Sequence, residues 1–352
     1  MNQHVSSTLG QLIFGAPIQH LNLIAIPIFL PQNLEWGAYL TLKEGLDKEL
    51  VLITEVSEGG SVPNLMVTNN ADLPLLLLDG EELIGAKQNR IVNTSLLLPA
   101  HSKTMIPVSC TERGRWNYNS VHFDDSGVIM SSKARYAKSG RVKENLERGA
   151  GYDARQGEVW NDIENYHKSF NSSSKSHALR DVFSDQQPKI DQFLQSIPLQ
   201  PGQSGMAVLL NGSFAGLDFV SSSQAYLSLH SKLLSSYAIE AILDRLQGEA
   251  LNVSETVMAM HTIQSFVDHL VETASETEFK PVGLGTDFRY TANRGMASAL
   301  VYENTVVHFS AFSDASKEQP IKQTSGSVEQ EDVSVIISKR FRNILQERLN
   351  RI

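Results

Sequence analysis

The chain has 352 residues, of which 41% are hydrophobic and 20% charged, an ordinary globular composition long enough for roughly two domains. No run reaches the ~18 apolar residues of a membrane span, and the tract 21–30 contains Asn22 and Pro27 with no basic leader or cleavage site, so neither a membrane segment nor a signal peptide is expected. The net charge of −9 argues against a wholly electrostatic nucleic-acid binder, and the single cysteine fits a reducing, cytoplasmic compartment.

Residues 10–125 read mainly as strands. Residues 21–30 are apolar and Ile-rich, 50–56 are β-prone, and 64–68 stop at the Asn69-Asn70 turn signal. A short helix is predicted over 40–46. The apolar run 73–78 ends at Asp79-Gly80, 95–98 ends at Pro99, and 105–109 follows a polar turn at 101–103. Short strands without long crossover helices predict an antiparallel sandwich or barrel rather than a doubly wound sheet.

After Phe123 the texture changes. Residues 131–149 carry Lys133, Arg135, Lys138, Arg141, Lys143 and Arg148 against Glu144 and Glu147. With one aromatic, Tyr136, this stretch reads as a mobile solvated loop rather than a nucleic-acid contact. A helix is predicted over 155–168 with Val159, Trp160 and Ile163 on one face, followed by a low-complexity loop at 171–176. A second unit starts near Gly205, with strands at 206–210 and 216–220 around an Asn211-Gly212 turn. Two amphipathic helices follow, one carrying Leu227, Leu234, Ala238 and Ala241, the other Val257, Met260, Ile263, Val267 and Leu270. Strands return over 281–312, with a hairpin at Glu303-Asn304. Residues 313–332 read as a flexible linker, and a terminal helix from about Val333 carries Ile337, Phe341, Ile344 and Leu345. An isolated helix of that length is marginal in water, so it is expected to dock on the body, a second copy or a partner protein.

The expected fold class is therefore α+β: an N-terminal antiparallel β-sandwich-like unit, a C-terminal α+β unit and a terminal amphipathic helix. The expected divisions are a β-rich unit at 8–125, a basic and helical connector at 126–204, an α+β unit at 205–312, a linker at 313–332 and the helix at 333–352.

Two polar clusters carry the candidate chemistry. Glu81, Glu82, Lys87, Gln88, Asn89 and Arg90 follow a buried strand; Cys110, Glu112, Arg113, Arg115 and Trp116 lie about twenty residues later. Folding of residues 96–108 into a hairpin would bring the clusters together. Lys87, Arg90, Arg113 and Arg115 suit phosphate or carboxylate, Gln88 and Asn89 suit hydroxyls, Trp116 suits stacking, and Glu82 or Glu112 suits acid–base work. The alternative is a set of intrachain ion pairs with Trp116 as a packing residue. Carboxylates could also hold a divalent cation, but no His or Asp spacing marks a transition-metal site. Cys110, after apolar Ile106-Pro107-Val108 and without a Gly-rich cradle, reads as a core residue. His101, His122 and His308 read as ordinary, and Gly283 and Gly285 as turn glycines.

The segments GEELIGAKQNRIVNTSLLLPA and IPVSCTERGRW resemble the ARG (ADP-ribosylglycohydrolase) and rhodanese-phosphatase-superfamily-associated protein domain family. The resemblance covers about residues 8–310. It implies a link to ADP-ribose or nucleotide metabolism and to bacterial conflict systems, and carries no reaction and no cofactor with it. Two functions follow as expectations. One is binding or processing of an ADP-ribose-like or other phosphorylated nucleotide; the other is a non-catalytic adaptor acting through a partner or self-association.

Overall fold

The computed structural model describes residues 1–314 except 37–38, 58 and 247–255. Of the linker expected at 313–332, Ser313 instead ends a strand, and residues 315–332 lie outside the described residues, as does the helix expected at 333–352. Helix α1 (Gln3–Leu9) precedes β1 (Ile13–Phe14), β2 (Ile18–His20), β3 (Leu23–Phe29) and β4 (Leu40–Thr41). Helix α2 (Leu42–Asp47) then leads into β5 (Val51–Glu55), β6 (Asn64–Asn69), β7 (Leu75–Leu77), β8 (Glu81–Gly85) and β9 (Arg90–Val92). Strands β10 (Leu96–Leu98), β11 (Ser102–Cys110) and β12 (Phe123–Ile129) complete the first half. Three helices follow, α3 (Ser132–Glu147), α4 (Gln156–Phe170) and α5 (Leu179–Ser196). The last described part holds β13 (Gly205–Leu210), β14 (Ser213–Val220), α6 (Ser223–Leu246), α7 (Thr256–Thr273), β15 (Ser275–Phe279), β16 (Thr286–Ala292), β17 (Gly295–Tyr302) and β18 (Thr305–Ser313).

The fold is mixed α+β. Strands β12-β8-β9-β11-β6-β5 form one sheet and β10-β7-β4 another, and both contribute to one apolar core that includes Ile53, Val67, Leu77, Leu83, Leu98 and Ile106. One pairing here is parallel, β4 with β7, so the unit is not wholly antiparallel. The rest of the chain builds a nine-stranded antiparallel sheet, β1-β3-β13-β14-β18-β17-β16-β15 with β2 beside β3. Strands β1–β3, which the sequence groups with 8–125, thus add to the sheet of residues 205–313 through the β3–β13 register Leu23↔Leu210 to Ile28↔Gly205.

Both faces of this sheet are covered. Ile24, Ile26 and Ile28 pack with Ile263, Phe266 and Leu270 of α7, while Leu23 and Ala25 join the core of α3–α6. A strand buried on both faces needs no alternation, which is why 23–29 is apolar throughout. Where the 131–149 stretch was expected to be a solvated loop, the chain forms α3, and Arg135 and Lys138 are fully buried. Ser131 caps it by accepting the Ala134 N–H, and its inward face sets Arg135 and Lys138 beside Ala134 and Val142.

Candidate functional site

Antiparallel pairing of β9 with β11 sets Arg90 opposite Cys110, so the residues flanking these positions meet. The clusters adjoin by this route and not by a β10–β11 hairpin, because β10 turns away into the smaller sheet. The Thr111 N–H donates to Asn89 O at 3.0 Å, and the Asn89 N–H donates to Glu112 Oε2 at 3.2 Å. The start of α5 is tied on by the Leu179 N–H donating to Thr111 O at 3.0 Å, and Gly114 N–H donates to Ser176 O at 2.9 Å. Between these segments lies a cavity of about 330 Å³ whose lining includes Asn89, Glu112, Arg115, Asn119, Ser120, Ser176, Arg180 and Asp181.

Three of the residues singled out from sequence line this cavity: Asn89, Glu112 and Arg115. Arg115 is already engaged: Nε and Nη2 reach Glu112 Oε2 at 2.9 and 2.6 Å, and Nη1 donates to Ala86 O at 2.6 Å and Asn117 O at 2.9 Å. Burial alone would raise the Glu112 carboxyl, but its hydrogen bonds from Arg115 outweigh that and hold it below the usual range.

Glu82 behaves in the opposite sense. It is fully buried, its Oε1 accepts from Thr111 Oγ1 at 2.7 Å, and the Ser126 hydroxyl also favours its charged form. Burial pushes its carboxyl up to about 7, against the opposing pull of Thr111 and of Arg180. Of the two carboxyls only Glu112 lines the cavity; Glu82 lies behind Thr111.

The remaining candidates lie elsewhere. Glu81 is buried, accepting the Leu78 N–H at 2.7 Å and Lys232 Nζ at 2.8 Å. Arg90 is fully buried, donating to Gln88 O at 2.9 Å and facing Glu55 at 3.5 Å, while Gln88 is buried beside it. Lys87 donates to Gly59 O at 2.8 Å and lies 5.5 and 5.1 Å from the ring centres of Trp116 and Tyr118. Trp116 is 44% exposed but holds Lys87 and Arg90 against its ring; Arg113 is exposed, 5.5 Å from the Trp160 ring centre. Cys110 is buried, and burial pushes its thiol up to about 11. Its backbone is clasped by Gln156, whose Oε1 accepts the Cys110 N–H at 2.7 Å and whose Nε2 donates to Cys110 O at 2.9 Å.

The family model of the ARG and Rhodanese-Phosphatase-superfamily-associated Protein domain matches residues 11–312. The chain belongs to this family. No curated protein and no solved structure matches the chain. Among the described residues no group of three or more His, Cys, Asp or Glu side chains could hold a metal ion, and no helix is long and apolar enough to cross a membrane.

Sequence reasoning missed two features of this ARG and Rhodanese-Phosphatase-superfamily-associated domain. The first is Arg180, which lines the cavity and makes no ion pair among the described residues; only its place beside the Ser-rich run at 171–176 could have drawn attention to it. The second is a buried ionic network centred on α3. Arg135 donates to both oxygens of Asp218 at 3.0 and 2.6 Å, Tyr237 donates to Asp218 at 2.6 Å, and Lys138 pairs with Asp79. Burial lowers Lys138 to about 8 against the pull of Asp79. Burial alone would raise the Asp218 carboxyl, yet Arg135 outweighs it and holds it well below the usual range. His308, read as ordinary, bonds Ser95 Oγ at 2.8 Å and lies 3.7 Å from Asp218. Ser95 is buried and its Oγ already accepts the Asp79 N–H at 2.9 Å, so this trio fixes the core. Arg289 bonds Asp287, Ser139 and Thr94, joining β16 to α3 and to the N-terminal sheets.

Proposed function

We propose that the cavity beside Arg180 binds a small phosphorylated, nucleotide-type ligand of the ADP-ribose class. The observation that carries this reading is a concave site of about 330 Å³ lined by Arg180, which has no ion-pair partner among the described residues, by hydroxyls and amides, and by the carboxylates Glu112, Asp124 and Asp181, of which Glu112 is already paired with Arg115. That volume is at the lower end of the ~300–1,000 Å³ of small-molecule sites, so it suits one end of such a ligand, a phosphate with its ribose. Arg180 takes the role first given to Lys87, Arg90 and Arg113, with Arg115 holding the wall in place. Asn89, Asn119, Ser120 and Ser176 supply donors and acceptors for sugar hydroxyls. Glu112, which lines the cavity and stays ionised, is the base if a bond is cleaved; Glu82 is buried behind Thr111, outside the lining, and its role is to hold that wall.

The family name is compatible with nucleotide-related processing, and the single cysteine with a reducing cytoplasm. A place in bacterial conflict or antiviral defence belongs to the same proposal. A second reading is favoured by the pairs Glu112–Arg115, Glu81–Lys232 and Arg90–Glu55, in which candidate charges satisfy one another. On that reading the domain is a non-catalytic adaptor, acting through a partner or a second copy.

The test is a thermal-shift series with ADP-ribose, NAD, AMP and ribose 5-phosphate on wild type and Arg180→Gln. A ligand at 100 times its Kd stabilises the native state by about 2.7 kcal/mol. A shift in wild type that Arg180→Gln removes supports ligand binding. No shift with any phosphorylated compound favours the adaptor, and an equal shift in the variant moves binding away from this cavity.

A further inference from the structure

A second cavity, of about 240 Å³, lies where α3, α4 and α6 meet, and it shares no lining residue with the first. Ala134, Ala137 and Leu243 give it apolar wall; Glu240, Asp162 and Tyr166 give it polar wall. The charges around it are not equally provided for. Asp162 accepts from Arg141 Nη2 at 2.6 Å, and Lys133, itself half-exposed, donates to Asp244 at 3.0 Å. Glu240 is fully buried. Its Oε1 accepts from the Tyr166 hydroxyl, which also lies 2.5 Å from Ser131 Oγ. Its Oε2 is buried and no described donor lies within normal hydrogen-bond distance; Lys133 Nζ at 3.7 Å forms a long ion pair with it, and Ser131 adds a weaker pull.

A long ion pair offsets only part of the desolvation cost of a buried carboxylate oxygen, and a ligand that supplies a donor at normal distance recovers more of it. The geometry points to a binding site for a small aliphatic amine, its ammonium on Glu240 Oε2 and its hydrocarbon stem along Ala134, Ala137 and Leu243. Each part of that choice has a reason. The open acceptor is a single oxygen, because Tyr166 holds the other; a guanidinium fork wants both, whereas an ammonium is a point charge with three donors. Asp162 and Asn165, both on the lining, are further acceptors for the remaining N–H groups. A quaternary ammonium has no donor and is bound by aromatic cages, and Tyr166 is the one aromatic in this lining. An anion would face Glu240 and Asp162 against Lys133 alone. At about 30 Å³ per water-sized group the space holds on the order of eight non-hydrogen atoms, the size of a short alkylamine or diamine.

Isothermal titration of the full chain with n-butylamine and 1,4-diaminobutane tests this, with n-butanol as the uncharged isostere and tetramethylammonium as the cation lacking N–H. The amines are carried to about 10 mM, tenfold above the ~1 mM Kd of a weak site. The expected result is binding of the amines but of neither control. It should weaken at least tenfold in Glu240→Gln, which keeps the Tyr166 bond, and in Ala137→Leu, which fills the cavity and leaves the carboxylate in place. If Glu240→Gln does not fold, Ala137→Leu decides alone. Absence of amine binding, equal binding of n-butanol, or undiminished binding in the folded variants overturns the assignment.

Discussion

Replacing Arg135 by Leu removes the guanidinium that neutralises Asp218 at the centre of the molecule. The carboxylate loses two hydrogen bonds, at 3.0 and 2.6 Å, and keeps Tyr237 Oη at 2.6 Å, with His308 Nε2 at 3.7 Å. Both partners are fully buried, so water cannot take the place of the lost bonds. Breaking a buried pair from one side costs about 3–5 kcal/mol. At about 2 °C per kcal/mol for a chain of this size, the melting temperature should fall by roughly 6–10 °C. Asp218→Leu should cost less, because Asp79, 3.9 Å from Arg135 Nε, remains to face the cation. Urea unfolding followed by tryptophan fluorescence on the two single variants and the double variant closes the cycle. The double variant should be more stable than additivity allows, by about 2 kcal/mol or more. If the effects add within ~0.5 kcal/mol, the pair is not coupled and the account of this core is wrong.

Three further outcomes are expected. Glu82, raised from 4.5 to about 7 by burial, is protonated in the folded chain while the unfolded chain ionises it. Its penalty therefore grows as pH rises through that window and is complete above about 7, where it amounts to about 3 kcal/mol. Glu82→Gln should gain stability over wild type at pH 8 and little at pH 4.5; urea midpoints whose difference ignores pH would refute this. The Cys110 thiol, buried and pushed up to about 11, should stay unreactive to a disulfide reagent at pH 8 until denaturant is added, and rapid native-state labelling would contradict its packing role. Gly205→Ala places a methyl 2.4 Å from both Asp218 O and Phe219 Cβ, so its urea midpoint should fall by an amount equivalent to about 1–3 kcal/mol or more; an unchanged midpoint would show that the sheet yields there.

What the sequence disclosed is what local pattern encodes. Strands 51–55 and 64–69, helix α4 and the β17–β18 hairpin follow from alternation, periodicity and turn residues, and Glu303 and Asn304 take the left-handed backbone their turn requires, with φ of 47° and 65°. The meeting of the two polar clusters was legible too, although through another pairing. Helix α3 was hidden because helical periodicity is read in hydrocarbon, and its buried positions 135, 138, 139 and 142 present Arg, Lys, Ser and Val. Glu81 and Glu82 look alike in sequence, yet on a strand neighbours point to opposite faces, so one meets Lys232 and the other Thr111. For Arg180 the sequence offered no more than its nearness to the Ser-rich run at 171–176; tertiary packing brings the start of α5 to Asn89 and Glu112.

The pairing of β3 with β13 also bears on how the chain is made. Leu23 meets Leu210, so an apolar strand waits for a neighbour encoded 187 positions later. At 5–20 residues per second that wait lasts roughly 10–40 s of synthesis. During it the segment LIAIPIF, paired on one edge by β1 and β2, keeps on the other the β-propensity, hydrophobicity and lack of charge of a sticky edge, relieved by Pro27. Sheets dominated by such distant pairings also close slowly once synthesis is complete. The outer edge of residues 23–29 that the strand at 205–210 finally covers is therefore open for most of the time the chain is being made.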